Sequence, residues 1–251
     1  MHAVGDKEDV LPETSKPTAR THAMRALIEL RKRILNGDMI GGTRLFEVPL
    51  AEELQISRTP VREAMSRLAE EGLLERVRPG GFMVRTFTRA DVIDAIELRG
   101  VLEGTAARLA AERGAAPERL EAARHLLGQL EDCLPPGSQP VDLERYSDLN
   151  TEFHKVLARL PGSRMVEREL TRTVHLPFAA PSAFLPNFGH DLTLAQTQHR
   201  ALVDAIANRE GARAEAVARE HARTARRNLE FVMSGDPSLI GQVPGLALIV
   251  D

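Results

Sequence analysis

Three histidines of this sequence each interrupt an otherwise apolar helical stripe. They are His154, His199 and His221, and Asn150 lies one helical turn before the first of them. One histidine on such a face is more often a hydrogen-bonded core residue than a ligand. Three on separate stripes can converge in the core of a helical bundle, where neutral imidazoles bind divalent transition metals. We therefore predict a divalent transition metal at this position, with zinc or nickel expected.

Two arginines form a second candidate site. Arg58 and Arg62 lie four residues apart near the start of SRTPVREAMSRLAEEGLLE, residues 57–75, which has the pattern of a helix. The predicted buried stripe of this helix is Val61, Ala64, Met65 and Leu68. The arginines fall on a different face, and Ser57 or Thr59 can cap the helix. Arginines beside unpaired backbone N–H groups at a helix N-terminus suit phosphates and guanine edges.

The elements around these arginines indicate a DNA-binding module. Residues 22–36 have helical apolar spacing, and PLAEELQI, residues 49–56, predicts a second, shorter helix after an extended RLFE. Two short helices separated by so tight a turn are typical of a helix-turn-helix. The next segment, LLERVRPGGFMVRTF, alternates apolar and polar residues around a turn at residues 78–81 and predicts a β-hairpin wing.

The rest of the chain predicts a helical bundle. Thr88 and Asp91 can form a capping box, so a helix is expected to begin near residue 89. Arg99 lies on the apolar stripe of that helix, and a buried guanidinium needs an acidic partner or an anionic ligand. An ion pair with Glu103 and an anionic ligand are both compatible with this pattern. Further helices are predicted at 117–134, 141–159, 163–175, 191–208 and 211–234.

Composition limits the class of protein. The chain has 251 residues, 43% of them hydrophobic, and no apolar run approaches the roughly 20 residues that a membrane span needs. The only cysteine, Cys133, excludes an internal disulfide and a cysteine-rich zinc cluster, so we expect a cytoplasmic protein with no membrane partner. Residues 19–88 carry twelve basic and nine acidic residues, a net charge of +3. The whole chain has a net charge of −3, so the remainder carries −6.

These patterns predict a mainly α-helical protein with two domains. We expect a winged helix-turn-helix with a small β-hairpin wing at residues 19–88 and an all-α ligand-binding and dimerisation bundle at residues 89–234. Residues 1–18 are expected to be a disordered tail. Residues 235–251 are unusually apolar for a terminus, and we expect them to dock on the body of the protein or on a partner.

The first domain resembles a known family. The string LAEELQISRTPVREAMSRLAEEGLLE followed by RPGGFMV is similar to the winged helix-turn-helix of GntR-type transcriptional regulators. The resemblance implies seven DNA-binding positions. Four of them, Ser57, Arg58, Thr59 and Arg62, would contact DNA from the helix. Arg44 would lie near the DNA backbone. Gly80 and Gly81 would let the wing enter the minor groove.

The second domain resembles the FadR-type ligand-binding domain known as FCD. The segments IELRGVLEGTAARLAAE, LNTEFHKVL and QHRALVDAIANREGARAEAVAREHARTARRNLE carry the resemblance. Many FCD domains hold a metal through one aspartate and three histidines, and a carboxylate effector completes the coordination. The three histidines named above match, whereas Asn150 stands at the aspartate position. A neutral amide is a weaker donor, so a different metal preference or a metal-free pocket remains open. Arg99 matches an arginine that can pair with the effector.

We therefore predict a homodimeric, ligand-responsive transcriptional regulator, expected to be a repressor that reads a short palindromic operator in double-stranded DNA. A small carboxylate bound in the bundle would shift the dimer between two states by its different affinity for each. A metal-dependent enzyme is the competing hypothesis, because three histidines with open positions also describe catalytic zinc. A constitutive architectural DNA binder would need no buried polar group in a separate domain.

Overall fold

The computed structural model describes residues 19–134, 141–176, 178–183, 189–234 and 245–250. The predicted disordered tail, residues 1–18, lies outside this range. The described part is mainly helical with one small antiparallel sheet, which confirms the predicted fold class. None of its helices has both the length and the apolar composition needed to cross a membrane.

The N-terminal elements, called the winged region here (residues 19–88), follow the predicted order. They are α1 Ala19–Leu35, β1 Arg44–Leu45, α2 Glu47–Leu54, α3 Arg58–Glu70, β2 Leu74–Arg76 and β3 Phe82–Val84. The strands β2 and β3 form the predicted hairpin, with Leu74 opposite Val84. Of the expected extended stretch RLFE, Arg44–Leu45 form the strand β1, which pairs with the free side of β3, whereas Glu47 already begins α2. The wing hairpin, β2 and β3, is therefore part of a three-stranded sheet in the order β1-β3-β2.

Helix α3 buries the stripe predicted from its sequence. Val61, Met65 and Leu68 have no exposed surface, and Ala64 is 2% exposed. They share a hydrophobic core with Leu27, Leu30 and Ile34 of α1 and with the inward faces of the sheet. Burying a side chain of this size contributes about 1.5–3 kcal/mol, so this packing fixes which face of α3 points to solvent.

The helical region (residues 89–234) contains six helices in its described part. They are α4 Arg89–Arg113, α5 Pro117–Asp132, α6 Leu143–Arg159, α7 Arg164–Val174, α8 Gly189–Ala207 and α9 Gly211–Ser234. The predicted capping box starts α4, because Thr88 N donates to Asp91 Oδ2 at 2.7 Å and Asp91 N donates to Thr88 Oγ1 at 3.2 Å. Each of these helices begins and ends within a few residues of its predicted bounds.

Helices α4 and α9 pack closely because small residues line their interface. A Cβ added at Gly100 would lie 3.0 Å from Ala222 Cβ, and one at Gly104 would lie 3.0 Å from Arg219 Cγ. Larger side chains would push the two helices apart. The glycines thus allow α4 and α9 to bring their polar residues, Glu103 and His221, into the same part of the bundle.

The C-terminal segment (residues 245–250) packs on the winged region. Leu246 and Leu248, in a short 3₁₀ turn Leu246–Leu248, are 3% and 0% exposed and belong to the same core as α1 and α3. Phe87 N donates to Leu248 O at 2.9 Å, and Val250 N donates to Phe87 O at 2.8 Å. The described end of the apolar tail thus docks on the body of its own chain, at the link between the two regions.

Candidate metal centre and nucleic-acid interface

Three helices bring the predicted histidines together. His154 of α6, His199 of α8 and His221 of α9 each place one ring nitrogen within 4.8 Å of the others. We call these three residues the histidine centre. His199 is completely buried and His154 is 7% exposed, so the centre lies inside the bundle. This convergence is the arrangement that the three apolar stripes predicted.

An oxygen atom lies against the Nδ1 atom of each histidine. His154 Nδ1 lies 2.9 Å from Glu103 Oε1, His199 Nδ1 lies 3.3 Å from Gln196 Oε1, and His221 Nδ1 lies 3.0 Å from Gln198 Oε1. An oxygen of this kind accepts a hydrogen bond and therefore favours the tautomer with the proton on Nδ1. Histidines that bind metals are held in the same way, with the second ring nitrogen left as the ligand.

The Nε2 atoms are left without suitable partners. His199 Nε2 and His221 Nε2 lie 3.2 Å apart, and in this tautomer both are acceptors. His154 Nε2 is buried and has no hydrogen-bond partner among the described residues. Facing lone pairs and an unpaired buried acceptor are unfavourable in a core. A divalent cation would satisfy all three atoms, so the residues present fit a metal ion.

The electrostatics of the centre favour ligands in the neutral form. Burial, together with the neighbouring histidines, lowers the pKa of His199 well below its usual value. Burial and the neighbouring His154 likewise lower the pKa of His221 to about 3. Neutral imidazole is the form that binds a metal. These two side chains are therefore neutral near pH 7.

Glu103 is the member of this site that sequence reasoning missed. It was predicted only as an ion-pair partner of Arg99, and that pair is present with Arg99 Nε 3.8 Å from Glu103 Oε2. Burial would raise the pKa of Glu103, but the neighbouring His154, the charge of Arg99 and the hydrogen bond with His154 lower it to about 2. The centre therefore contains a fixed negative charge. The i,i+4 spacing to Arg99 was the only sequence signal, and it does not reveal the contact with α6.

Arg99 lies on the buried face of α4, as predicted, and is 2% exposed. Besides the ion pair with Glu103, its Nη1 donates to the backbone oxygen of Ala179 at 3.2 Å. The guanidinium thus contacts two groups of its own chain, through Nε and Nη1. Asn150 is 3% exposed on α6, one turn before His154, whereas Asp148 is exposed and does not replace the missing carboxylate.

A cleft between α4, α6 and α7 reaches the centre from the surface. Its cavity volume is about 90 Å³, and Glu103 and His154 lie along its wall. Further out, the wall carries Lys155 and Arg159, which are paired with Glu152 at 3.1 Å and Glu167 at 3.0 Å. An anion entering this cleft would meet basic side chains before the centre.

The predicted DNA-binding arginines lie on the solvent side of α3. The side chains of Arg58 and Arg62 are 63% and 61% exposed. Arg62 is held by Glu47 of α2, with Nε 2.7 Å from Oε1 and Nη2 2.8 Å from Oε2. Arg58 Nη2 lies 3.8 Å from the same carboxylate. Ser57 is the N-cap residue of α3, but its side chain makes no capping hydrogen bond, so the predicted side-chain cap by Ser57 is wrong.

The other predicted DNA-binding residues lie at the start of α3 and in the wing. Thr59 is exposed in the first turn of α3, and Arg44 is exposed on β1. Gly80 and Gly81 connect β2 to β3 at the tip of the wing. Gly81 has φ +93°, and a Cβ there would lie 2.9 Å from Leu45 O, whereas Gly80 has open space around it. Only Gly81 is required by the backbone, which leaves Gly80 available for close approach to a partner.

A winged helix-turn-helix joined to a helical bundle with a buried polar centre defines the class of DNA-binding regulators that carry a sensor domain. Family models agree: residues 23–84 match the gntR family of bacterial regulatory proteins, and residues 94–224 match the FCD domain. The chain belongs to the GntR family and contains an FCD domain. Its members are transcriptional regulators, so the prediction of a DNA-binding regulator rather than an enzyme is confirmed. FCD domains commonly bind metal.

Individual relatives agree with this assignment. The chain is 30% identical over 227 residues to an HTH-type transcriptional regulator from an unstable DNA locus of Streptomyces ambofaciens, covering 90% of this chain and 92% of the relative. It is 30% identical over 197 residues to a probable D-xylose utilization operon repressor of Paenarthrobacter nicotinovorans, covering 77% and 82%. The solved structure of McbR/YncC from E. coli shares the fold, with a TM-score of 0.61 at 20% identity over 83% of this chain and 97% of that one.

Proposed function

We propose that the protein is a homodimeric repressor that binds a palindromic operator through α3 and the wing. The observation that supports this most directly is the exposure of Arg58 and Arg62 at the start of a helix whose opposite face is buried in the core. Residues 19–88 would form the DNA-binding unit and residues 89–234 the sensing and dimerisation unit. Since the target is DNA, we place the protein in the cytoplasm.

The DNA contacts follow from the chemistry of each residue. Arg58 and Arg62 would reach phosphates or guanine edges from α3. Ser57 and Thr59 would donate hydroxyl hydrogen bonds to phosphates at the helix N-terminus. Arg44 would lie near the DNA backbone. Gly80 and Gly81 would let the tip of the wing approach the minor groove.

Selection from a random duplex library, followed by fluorescence anisotropy on the enriched sequence, tests this proposal. We expect a palindromic sequence and salt-sensitive binding. Arg62→Ala should weaken binding by about 1–3 kcal/mol. Arg67→Ala is the matched control, because Arg67 is also exposed on α3 but lies at its other end and pairs with Glu71. Equal effects of the two substitutions would contradict the proposed interface.

For the sensor, we propose a divalent transition metal, zinc or nickel, held by the histidine centre with Asn150 as a fourth, neutral ligand. Such an ion supplies a positive charge with open positions for oxygen ligands. The histidines provide neutral nitrogens, and Glu103 holds the His154 ring in the ligating tautomer. The effector would be a small organic acid that enters by the cleft beside Lys155 and Arg159. Its carboxylate would complete the site.

Metal analysis of protein purified without chelators or a histidine tag tests the sensor. We expect about one ion per chain in the wild type and none in His199→Ala. If neither protein holds metal after incubation with zinc or nickel, the metal is excluded and the alternative of a metal-free effector pocket applies. The mass of the particle in solution tests the dimer, and a monomer at the concentrations that bind DNA would contradict it.

A further inference from the structure

The segment Phe178–Ala183 contacts both regions of the protein. Phe178 packs edge-on against Phe87 with ring centroids 5.2 Å apart, and the two side chains are 1% and 5% exposed. Phe178 and Ala183 belong to the hydrophobic core that α1 and α3 share with the ends of α4 and α9. We call residues 178–183 the bridging segment. Its apolar side chains are thus part of the structure that positions α3.

Polar groups of the bridging segment are bound by the sensor helices. Ala179 O accepts the hydrogen bond from Arg99 of α4. Ser182 Oγ lies 2.7 Å from Thr151 Oγ1 of α6 and donates to Ser147 O at 3.1 Å. The helices that hold the bridging segment are therefore those that carry Glu103 and His154. Any shift of these two helices changes its anchors.

Arg99 and Glu103 connect the histidine centre to this segment. Glu103 Oε1 bonds to His154, whereas Glu103 Oε2 stops 3.8 Å from Arg99 Nε. Arg99 Nε is buried and has no hydrogen-bond partner among the described residues. A buried donor without a partner is unfavourable, so a small movement of Glu103 toward Arg99 would be stabilising. A second position of the carboxylate, closer to Arg99 and farther from His154, would satisfy this donor.

From these contacts we propose that the state of the histidine centre is relayed to the winged region through Glu103, Arg99 and the bridging segment. A ligand that fixes the ring of His154 holds Glu103 on His154. Without it, Glu103 moves toward Arg99, the bond to Ala179 changes, and Phe178 shifts against Phe87. Phe87 lies two residues before α4 and also pairs with the C-terminal segment. This proposal rests on the proposed sensor function only for the identity of the ligand, a metal or an effector, that changes the histidine centre.

Amide hydrogen exchange tests the relay without any knowledge of the effector. The readout is exchange at Phe87 and Val250, whose amides make the hydrogen bonds that join the C-terminal segment to Phe87. Glu103→Gln should change their exchange by about two- to thirtyfold, the usual range for coupling through packed networks. Glu112→Gln is the matched control, since Glu112 lies on the same helix but pairs at the surface with Arg108.

A second perturbation separates the relay from the metal. Zinc added to the wild type should also change exchange at Phe87 and Val250, and Arg99→Lys should abolish this change while zinc still binds. If zinc does not bind, the proposed metal fails, and the comparison of Glu103→Gln with Glu112→Gln alone decides on the relay. Unchanged exchange at Phe87 in Glu103→Gln would overturn the relay. So would an equal change at Leu130, in the separate core of α5 and α6, because this would indicate general loosening.

Discussion

Glu47 binds Arg62 through two parallel hydrogen bonds, at 2.7 and 2.8 Å, and its carboxylate also faces Arg58. One acidic residue of α2 thus pairs with both arginines of α3 that we assign to DNA. The hydrogen bond with Arg62 lowers the pKa of Glu47, so the carboxylate is ionised whenever the protein is folded near neutral pH. Phosphates and bases must compete with this carboxylate for the same guanidinium groups.

Glu47→Gln should tighten binding to random-sequence DNA and reduce discrimination in favour of the operator. The substitution removes a negative charge beside the interface and frees Arg62. Because an exposed ion pair contributes roughly 0.2–1 kcal/mol, we expect up to about fivefold tighter non-specific binding. Anisotropy titrations with operator and random duplexes at several salt concentrations measure both effects. Glu63→Gln, elsewhere on α3, controls for the change in net charge. Weaker binding to both duplexes would mean that Glu47 orients Arg62 instead of competing with DNA.

Asn150→Asp should raise metal affinity. A carboxylate is a stronger oxygen donor than an amide, and a metal would compensate the charge that burial otherwise penalises. We expect about a tenfold gain or more, with lower stability of the metal-free protein since Glu103 already places one negative charge in the centre. Competition with a chromogenic chelator gives the affinity, and Asn150→Ala should lower it. Identical affinities in all three proteins would show that residue 150 does not face the metal.

Gln198→Leu should weaken metal binding by about 10- to 100-fold. Gln198 Oε1 lies 3.0 Å from His221 Nδ1 and holds the ring with Nε2 toward the centre. Leucine keeps the size of the side chain but cannot accept the hydrogen bond. Gln198→Glu retains an acceptor and should bind metal at least as well as the wild type. Equal losses in both variants would indicate a packing effect.

Leu248→Ala should destabilise the protein by about 2–5 kcal/mol, as is usual for a fully buried leucine. Leu248 is 0% exposed, and its backbone oxygen is bonded to Phe87 N. Val250→Ala is the matched control, because Val250 is 45% exposed and should cost within about 0.5 kcal/mol. Urea unfolding followed by circular dichroism measures both. A loss below 1 kcal/mol in Leu248→Ala would show that the C-terminal segment contributes little to the core.

Local patterns in the sequence predicted much of the fold. The apolar period of α3, the capping box at Thr88 and the turn at Gly80 and Gly81 depend on residues close in sequence, and the structure contains all three features. The convergence of three histidines also followed from local stripes, because the apolar faces of the helices pack into the bundle core and bring their polar residues with them. Short-range spacing was enough in these cases.

Contacts between distant residues could not be predicted in this way. The ion pair of Arg99 with Glu103 has a four-residue spacing, but the bond of Glu103 to His154 depends on how α4 and α6 pack. The contact of Phe178 with Phe87 joins a loop to a linker, and neither has a periodic pattern. Glu47 was predicted only as the end of the extended stretch RLFE, and its contact with Arg62 depends on how α2 and α3 pack. Each of these contacts is set by tertiary packing.

The docking of Leu246 and Leu248 in the core of α1 and α3 has a consequence for biosynthesis. A ribosome delivers the DNA-binding helices first, but two side chains of their core are supplied only after all six helices of the described sensor have been translated. A nascent chain would therefore expose an apolar gap beside Phe87 until translation reaches residue 248. The core beneath the DNA-binding helices would thus be completed only after the helical region has been synthesised.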